Sequence, residues 1–401
     1  MPINDWWERE DLRFKGEELL FCGHAVADLA GQFGTPAFFY NGHRLAYNIE
    51  RIKSALDTIG FAGRYNIKYA MKANRFAPLL TYLKSTGLVG IDACSPNEVE
   101  HAISCGFRPE EISFTATSLS VRDLERLSRI KGLGMNCDSI RTIRQWGELG
   151  SGRDIGIRVN PAMGIGRAHN EKLQYSGSNT TKFGIYREQF EEAVAVARHY
   201  GLTVKRIHFH TGCGYLTPQL ETWDEIIDAC LWFVNKLDRV EIVNVGGGLG
   251  VPHTEEDEAL DLTRWSRILA GHFLSRPLSI EIEPGDYLVK DAGVLLLTVN
   301  TVEKKKDTVF VGVNAGFNIA VEPAVYGLPF HPVPALLRKG DPRKVTVVGN
   351  INEALDVWYA DVTLPPLFEG DCLALINAGA YSSSMSSNHC MRGDFKEFLL
   401  L

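Results

Sequence analysis

Asn66-Ile67-Lys68-Tyr69-Ala70-Met71-Lys72-Ala73-Asn74 is a short run of small, aromatic and β-branched residues, and it brings a lysine to its end. The run predicts a strand, with Lys72 where the strand stops. Working outward, it is the first of eight strand-like segments, at 66–71, 87–93, 112–116, 133–137, 154–160, 205–211, 241–246 and 278–283. Helical segments lie between them, among them 96–104, 121–130, 139–149, 187–199, 222–236 and 263–273. A helix over 44–59, with Leu45, Ile49, Ile52 and Leu56 on one face, precedes the first strand. Eight alternating units fit an α/β fold of the (β/α)₈ barrel kind, because closing such a barrel takes eight strands. A doubly wound open sheet is the rival for any alternating pattern.

Beyond about residue 290 the texture changes. Strand-like segments at 294–302, 308–313, 344–349, 358–364 and 372–377 are separated by Gly, Pro and charged turns, without helical periodicity. The expectation is a barrel over 36–290 and an all-β domain over 291–401, which the mixed segment 1–35 joins. With 45% apolar and 23% charged residues, the chain has the make-up of an ordinary globular protein. A net charge of −7 without a basic stripe argues against nucleic acid as partner. Apolar runs such as Val294-Leu295-Leu296-Leu297 are too short to span a membrane. The start, Met1-Pro2-Ile3-Asn4-Asp5-Trp6-Trp7-Glu8, has neither the basic nor the apolar part of a signal peptide. Eight scattered cysteines without a CxxC pair point to a reduced, cytoplasmic protein without a structural zinc site.

The residues with chemistry fall at strand ends. Lys72 closes the first strand, His210 the sixth, Gly246-Gly247-Gly248 the seventh and Glu283 the eighth. Strand C-termini form the face of a barrel where active sites are built. An amine there can form an imine with a carbonyl cofactor, although a lysine after a strand is ordinarily solvated surface. Three glycines let backbone N–H groups close on an anion, and the loop after a seventh barrel strand is a frequent phosphate site. A tight turn is the plainer reading. His208 and His210 share one face of their strand, for ring stacking, for a structural role or for a metal; no zinc motif accompanies them. Glu281 and Glu283 alternate likewise, and Glu283 either holds a pyridinium proton or is a salt-bridged barrel residue. Together these groups describe a site for pyridoxal 5'-phosphate, with no metal.

The ordered series Tyr69-Ala70-Met71-Lys72-Ala73-Asn74, Arg158-Val159-Asn160-Pro161, Thr181-Lys182-Phe183-Gly184-Ile185, His208-Phe209-His210, Gly246 to Gly250, Glu283-Pro284-Gly285 and Gly379-Ala380-Tyr381 carries a resemblance. From Thr35 to Phe398 the chain resembles the fold-type III pyridoxal phosphate decarboxylases, the diaminopimelate and ornithine decarboxylase family, whose barrel is shared with alanine racemase. The resemblance implies that Lys72 carries the cofactor imine and that His210 stacks on the ring. It places the glycine loop, Gly285 and Tyr381 at the phosphate end, Glu283 at the pyridine nitrogen, and Asp92 and Arg158 near the cofactor. It also implies a homodimer with shared active sites and an α-decarboxylation that releases CO₂ from an amino acid. The rivals are a decarboxylation-coupled transaminase, a racemase, and a non-catalytic carrier of the cofactor. Racemases of this fold commonly set an arginine against the ring nitrogen, which Glu283 does not match.

Departures from the family pattern bear on the substrate. Cys213 stands where the family usually has Ser at the phosphate. Asp286 replaces the Arg after Glu-Pro-Gly. Within Val321-Glu322-Pro323-Ala324-Val325-Tyr326-Gly327, Glu322 replaces the Arg that in diaminopimelate decarboxylases binds the distal carboxylate. Acids at Asp286 and Glu322, with Tyr326 nearby, predict a distal amine or uncharged group rather than diaminopimelate, since like charges repel in a desolvated site. In Gly349-Asn350-Ile351-Asn352-Glu353, Asn352 stands where the family has the Cys that, with Glu353, completes the partner's site. An amide is no general acid near neutral pH, so Lys72, Glu353 or water is left to return the proton.

Overall fold

The computed structural model describes residues 5–167, 170–177 and 179–401; residues 1–4, read above for a leader, lie outside the described residues. Eight parallel strands close into a barrel in chain order: Tyr65–Ala70, Gly90–Ala93, Ile112–Thr115, Gly134–Cys137, Asp154–Arg158, Thr203–His208, Ile242–Asn244 and Ser279–Ile282. Closure pairs Ile280 with Tyr65 and Ile282 with Ile67, so no edge is left and the open-sheet alternative falls away. Every expected barrel strand is present; the first keeps its length and starts one residue earlier, and the others are shorter than their apolar runs. The runs carry on into the loops because the loops, too, pack against the barrel.

The outer ring has one irregularity. The helix after the eighth strand, Asp286–Val289, is a single turn. The 17-residue helix Gly42–Thr58 packs against it and against the helices Ala77–Thr86 and Leu262–Phe273, filling the gap. It starts where the Asn41 side chain accepts from the Arg44 N–H, satisfying one of the free donors of the first turn. Leu45, Ile49, Ile52 and Leu56 on its inner face are fully buried, each stabilising the packing by about 1.5–3 kcal/mol.

The second body is an eight-stranded sheet, with Gly293–Lys305 at its centre. The first half of that long strand pairs with Cys372–Ile376 and Ala37–Asn41, its second half with Thr308–Val313. Ala37–Asn41, within the stretch 36–290 expected for the barrel, therefore pairs in the sheet, where Lys396–Leu400 joins it. Five consecutive buried residues, Ala-Phe-Phe-Tyr-Asn, explain that position, since a strand covered on both faces needs apolar side chains on both. The N-terminal segment makes its own three-stranded sheet, Leu12–Lys15, Glu18–Phe21 and His24–Ala25. With the helix Val26–Phe33 it buries Trp7, Leu12, Phe21 and Leu29 against Phe39, Leu296 and Ile376 of the large sheet. Among the described residues no helix is long and apolar enough to cross a membrane.

Candidate active site

The C-terminal rim of the barrel gathers most of the singled-out residues. Lys72 lies in a single 3₁₀ turn, Met71–Ala73, directly after the first strand. Asp92 sits in the second strand, Arg158 ends the fifth, and His210 lies two residues past the sixth. Gly246, Gly247 and Gly248 follow the seventh strand, and Glu283, Gly285 and Asp286 the eighth.

Glu283 is the best-supported charge at the rim. His208 Nε2 donates to its Oε2 at 3.0 Å, and Asn244 Nδ2 to its Oε1 at 2.7 Å. A carboxylate only accepts, so the hydrogen of the His208 ring is on Nε2. Burial would raise the Glu283 pKa, but His208, with a further hydrogen bond from Asn244, outweighs it and holds the group at about 2. Asp92 goes the other way: burial, then repulsion from Glu283, push its carboxyl well above the usual range, and its Oδ1 has no hydrogen-bond partner. The negative charge of the two therefore rests on Glu283. Glu281, one layer down, is paired with Arg206 at 3.0 Å inside the barrel.

The two histidines divide their work. His208 positions Glu283, while His210 faces the rim with its ring 4.9 Å from that of Tyr175 and its Nδ1 3.4 Å from the Gly247 N–H. Burial and then the cations Lys72 and Arg158 push the His210 pKa well down, so the ring is neutral. Cys213 Sγ lies 3.6 Å from His210 Nε2, and burial raises its thiol to about 11. The Lys72 ammonium stands 5.8 Å from the centre of the Tyr175 ring. Burial works against its charge, but the surrounding Cys94, Tyr175 and Asp92 outweigh that and raise its pKa. Arg158 stacks on Phe183 at 4.7 Å, with burial lowering its pKa.

The glycine loop has no room for side chains. A Cβ on Gly247 would sit 2.0 Å from the Glu283 carbonyl oxygen, and one on Gly248 would sit 2.2 Å from that of Gly212. The loop thus wedges between the ends of the sixth and eighth strands and leaves its backbone at the rim. Gly285 likewise lies under the Tyr381 hydroxyl, 3.2 Å from where its Cβ would be. Tyr381 is itself anchored by its N–H to the Ala73 carbonyl at 2.8 Å, next to Lys72.

Beside Lys72, Tyr175, Cys213, Asp286, Glu322, Tyr326 and Tyr381 line one cavity. The sequence reading of Asp286 and Glu322 as acids in place of two arginines did not include the cation that the structure sets beside them. Lys290, fully buried, sits behind both, with Nζ 2.6 and 2.5 Å from the two Glu322 oxygens and 3.0 Å from Asp286 Oδ1. Burial raises Glu322 to about 7 despite Lys290, with Asp286 adding repulsion. The two acids in turn outweigh burial at Lys290 and raise its pKa. The Asp286–Lys290 spacing of four residues was visible in the sequence; Glu322 arriving from the short helix Glu322–Tyr326 was not. Asn244 and Tyr175 also escaped notice, although an Asn two residues before a glycine loop is a turn signal.

Asn352 and Glu353 stand apart. They lie on an exposed loop, where Glu353 Oε1 meets His389 Nε2 at 3.2 Å. Among the described residues no hydrogen bond or ion pair joins them to the Lys72 cluster, and no group of three His, Cys, Asp or Glu is placed to hold a metal.

The rim residues fit pyridoxal phosphate: a lysine amine, an ionised carboxylate at a neighbouring strand end, and a glycine cradle whose tight packing excludes side chains. Residues 45–290 match the family profile described as pyridoxal-dependent decarboxylase, pyridoxal binding domain. The chain is 36% identical to the diaminopimelate decarboxylase of Methanothermobacter thermautotrophicus, covering 93% of this chain and 88% of the relative. It is 31% identical to that of Escherichia coli, covering 92% and 90%. The crystal structure of Helicobacter pylori diaminopimelate decarboxylase complexed with L-lysine superposes with a TM-score of 0.84 at 26% identity, covering 94% of each chain. A closed barrel with a lysine at its rim occurs in many enzymes; one that also matches this profile over most of its length does not leave the chemistry open. The chain belongs to the pyridoxal-dependent decarboxylases, as a carboxy-lyase acting on an amino acid with pyridoxal phosphate as its cofactor.

Proposed function

We propose that this chain removes the α-carboxyl group as CO₂ from an amino acid whose distal end is an amine or uncharged, and releases the amine. The observation that carries the reading is Glu283, an ionised carboxylate fixed by His208 and Asn244 at the barrel rim. When bound, pyridoxal phosphate would supply an electron-accepting ring that takes up the charge left on the substrate's α-carbon. Glu283 keeps a proton on the ring nitrogen, because its own pKa of about 2 leaves that proton on the base opposite it. His210, neutral, would pack against the ring without adding a charge that repels a protonated nitrogen. The loop Gly246–Gly248, with Gly285 and the Tyr381 hydroxyl, would hold the phosphate, the Gly246 N–H itself being donated to Asn244 Oδ1 at 2.9 Å. Arg158 and Asp92 would lie near the cofactor and Cys213 at its phosphate end.

Lys72 is the attachment point and the mobile base. Its Nζ must lose a proton to attach and regains one on release, so the same atom is placed to return a proton to the α-carbon. That role matters because the Asn352 amide has none to give. Exposure of the Asn352–Glu353 loop supports a dimer in which this loop completes the partner's site, with Glu353 facing the substrate. The relatives' substrate, diaminopimelate, is the reference for comparison. Their similarity favours it, while the acids at Asp286 and Glu322 favour a substrate without a distal carboxylate. Incubation with lysine, ornithine, arginine and diaminopimelate, followed by CO₂ capture and mass spectrometry, tests the reading. Equimolar CO₂ and amine are expected; a carbonyl product, or a clear preference for diaminopimelate, overturns it.

A further inference from the structure

Three charged side chains meet at the distal end of the cavity. Lys290 follows the turn Asp286–Val289, four residues after Asp286, and Glu322 opens the helix Glu322–Tyr326 of the other body. Side-chain exposure falls from 11% at Asp286 to 3% at Glu322 and 1% at Lys290, so the lysine lies behind the acids and Asp286 is nearest the opening. Glu322 is spent: both of its oxygens take short hydrogen bonds from the Lys290 ammonium. Asp286 is not. Its Oδ1 is 3.0 Å from the ammonium but outside hydrogen-bond alignment, and that buried atom has no hydrogen-bond partner.

Above about pH 7, where Glu322 is ionised, one ammonium against two carboxylates leaves a single negative charge, and that charge borders the cavity. Resting on the decarboxylase reading above, we infer that Lys290 is a specificity-determining residue: an internal counter-ion that cancels Glu322 and leaves Asp286 to pair with one positive charge on the substrate. The ligand class is then an α-amino acid with one distal ammonium group. A distal carboxylate meets repulsion there. A neutral end leaves a buried charge without its partner, which is costly. Tyr175, Tyr326 and Tyr381 line the same cavity, and ring faces attract an ammonium. Without Lys290 the cavity would carry two like charges side by side, and a singly charged end would no longer match it.

Diamine binding to the holoenzyme separates this inference from the reaction itself. Cadaverine and n-pentylamine have the same carbon chain and differ by one ammonium, and calorimetry reads their affinities without any CO₂ release. The wild type is expected to bind cadaverine at least about tenfold more tightly, the scale of one well-placed charge pair. Glu322→Gln lets Lys290 turn to Asp286 and should abolish that preference. The double variant Lys290→Met/Glu322→Gln restores one negative charge with no cation behind it and should recover the preference. Equal binding of the two amines by the wild type, an unchanged preference in Glu322→Gln, or a folded double variant without the preference overturns the inference. Should the double variant fail to fold, Glu322→Gln alone decides. A diamine preference without CO₂ release from any amino acid would instead retain the inference and sink the decarboxylase reading.

Discussion

A carboxylate buried at a strand end stays ionised only if donors reach it, and Glu283 has two. Its pKa of about 2, below the ordinary 4.5, ties folding to pH. The native state gains stability from the ionised group above the ordinary carboxyl range and loses it as pH falls from about 4.5 toward 2. Thermal melts of Glu283→Gln should therefore lie below those of the wild type at pH 6 and converge with them near pH 2. Lys72 has a chemical signature instead. Lys72→Ala should lose the visible imine absorbance and borohydride trapping, with activity down by at least about a thousandfold, since nothing else at the rim can replace a covalent amine. Both residues were legible in the sequence, because alternation and strand ends place them. Lys290 was not, because the sequence shows Asp286 four residues before it but nothing of Glu322, which reaches it from 32 residues away.

Among the elements, the glycine loop is the one with least freedom. Gly247→Ala would push a methyl into the Glu283 carbonyl oxygen, so the loop or the eighth strand must shift. A melting temperature several degrees lower and pyridoxal phosphate affinity reduced at least about tenfold are expected, measured by calorimetry and cofactor titration. The helix Leu262–Phe273 offers the contrast. Asp261 caps it by accepting from the N–H groups of Thr263 and Arg264. Asp261→Ala should cost about 1 kcal/mol of stability and leave cofactor affinity unchanged. Strand and helix positions were readable from periodicity. The single-turn helix after the eighth strand was not, nor was the strand Ala37–Asn41, whose partners lie more than 250 residues away in sequence.

For the whole molecule the open matter is assembly. A shared site predicts complementation: Lys72→Ala and Glu353→Ala, each poorly active, should on subunit exchange regain about a quarter of wild-type activity, because half the dimers are mixed and each mixed dimer has one intact site. Absence of any gain after verified exchange would place each site within one chain.

Periodicity and local chemistry in the sequence were enough for an eight-strand barrel and for placing Lys72, the glycine loop and Glu283 at the ends of its strands. Each depends on residues close together in the chain or on the regular period of strands. Which carboxylate carries charge, and whether the acids of the distal cavity are free, were decided only in three dimensions. His208 and Asn244 reach Glu283 from other strands, and Lys290 reaches Glu322 across two bodies of the fold. Charge in a buried site depends on what is within about 3 Å, and that distance is set by folding rather than by order along the chain.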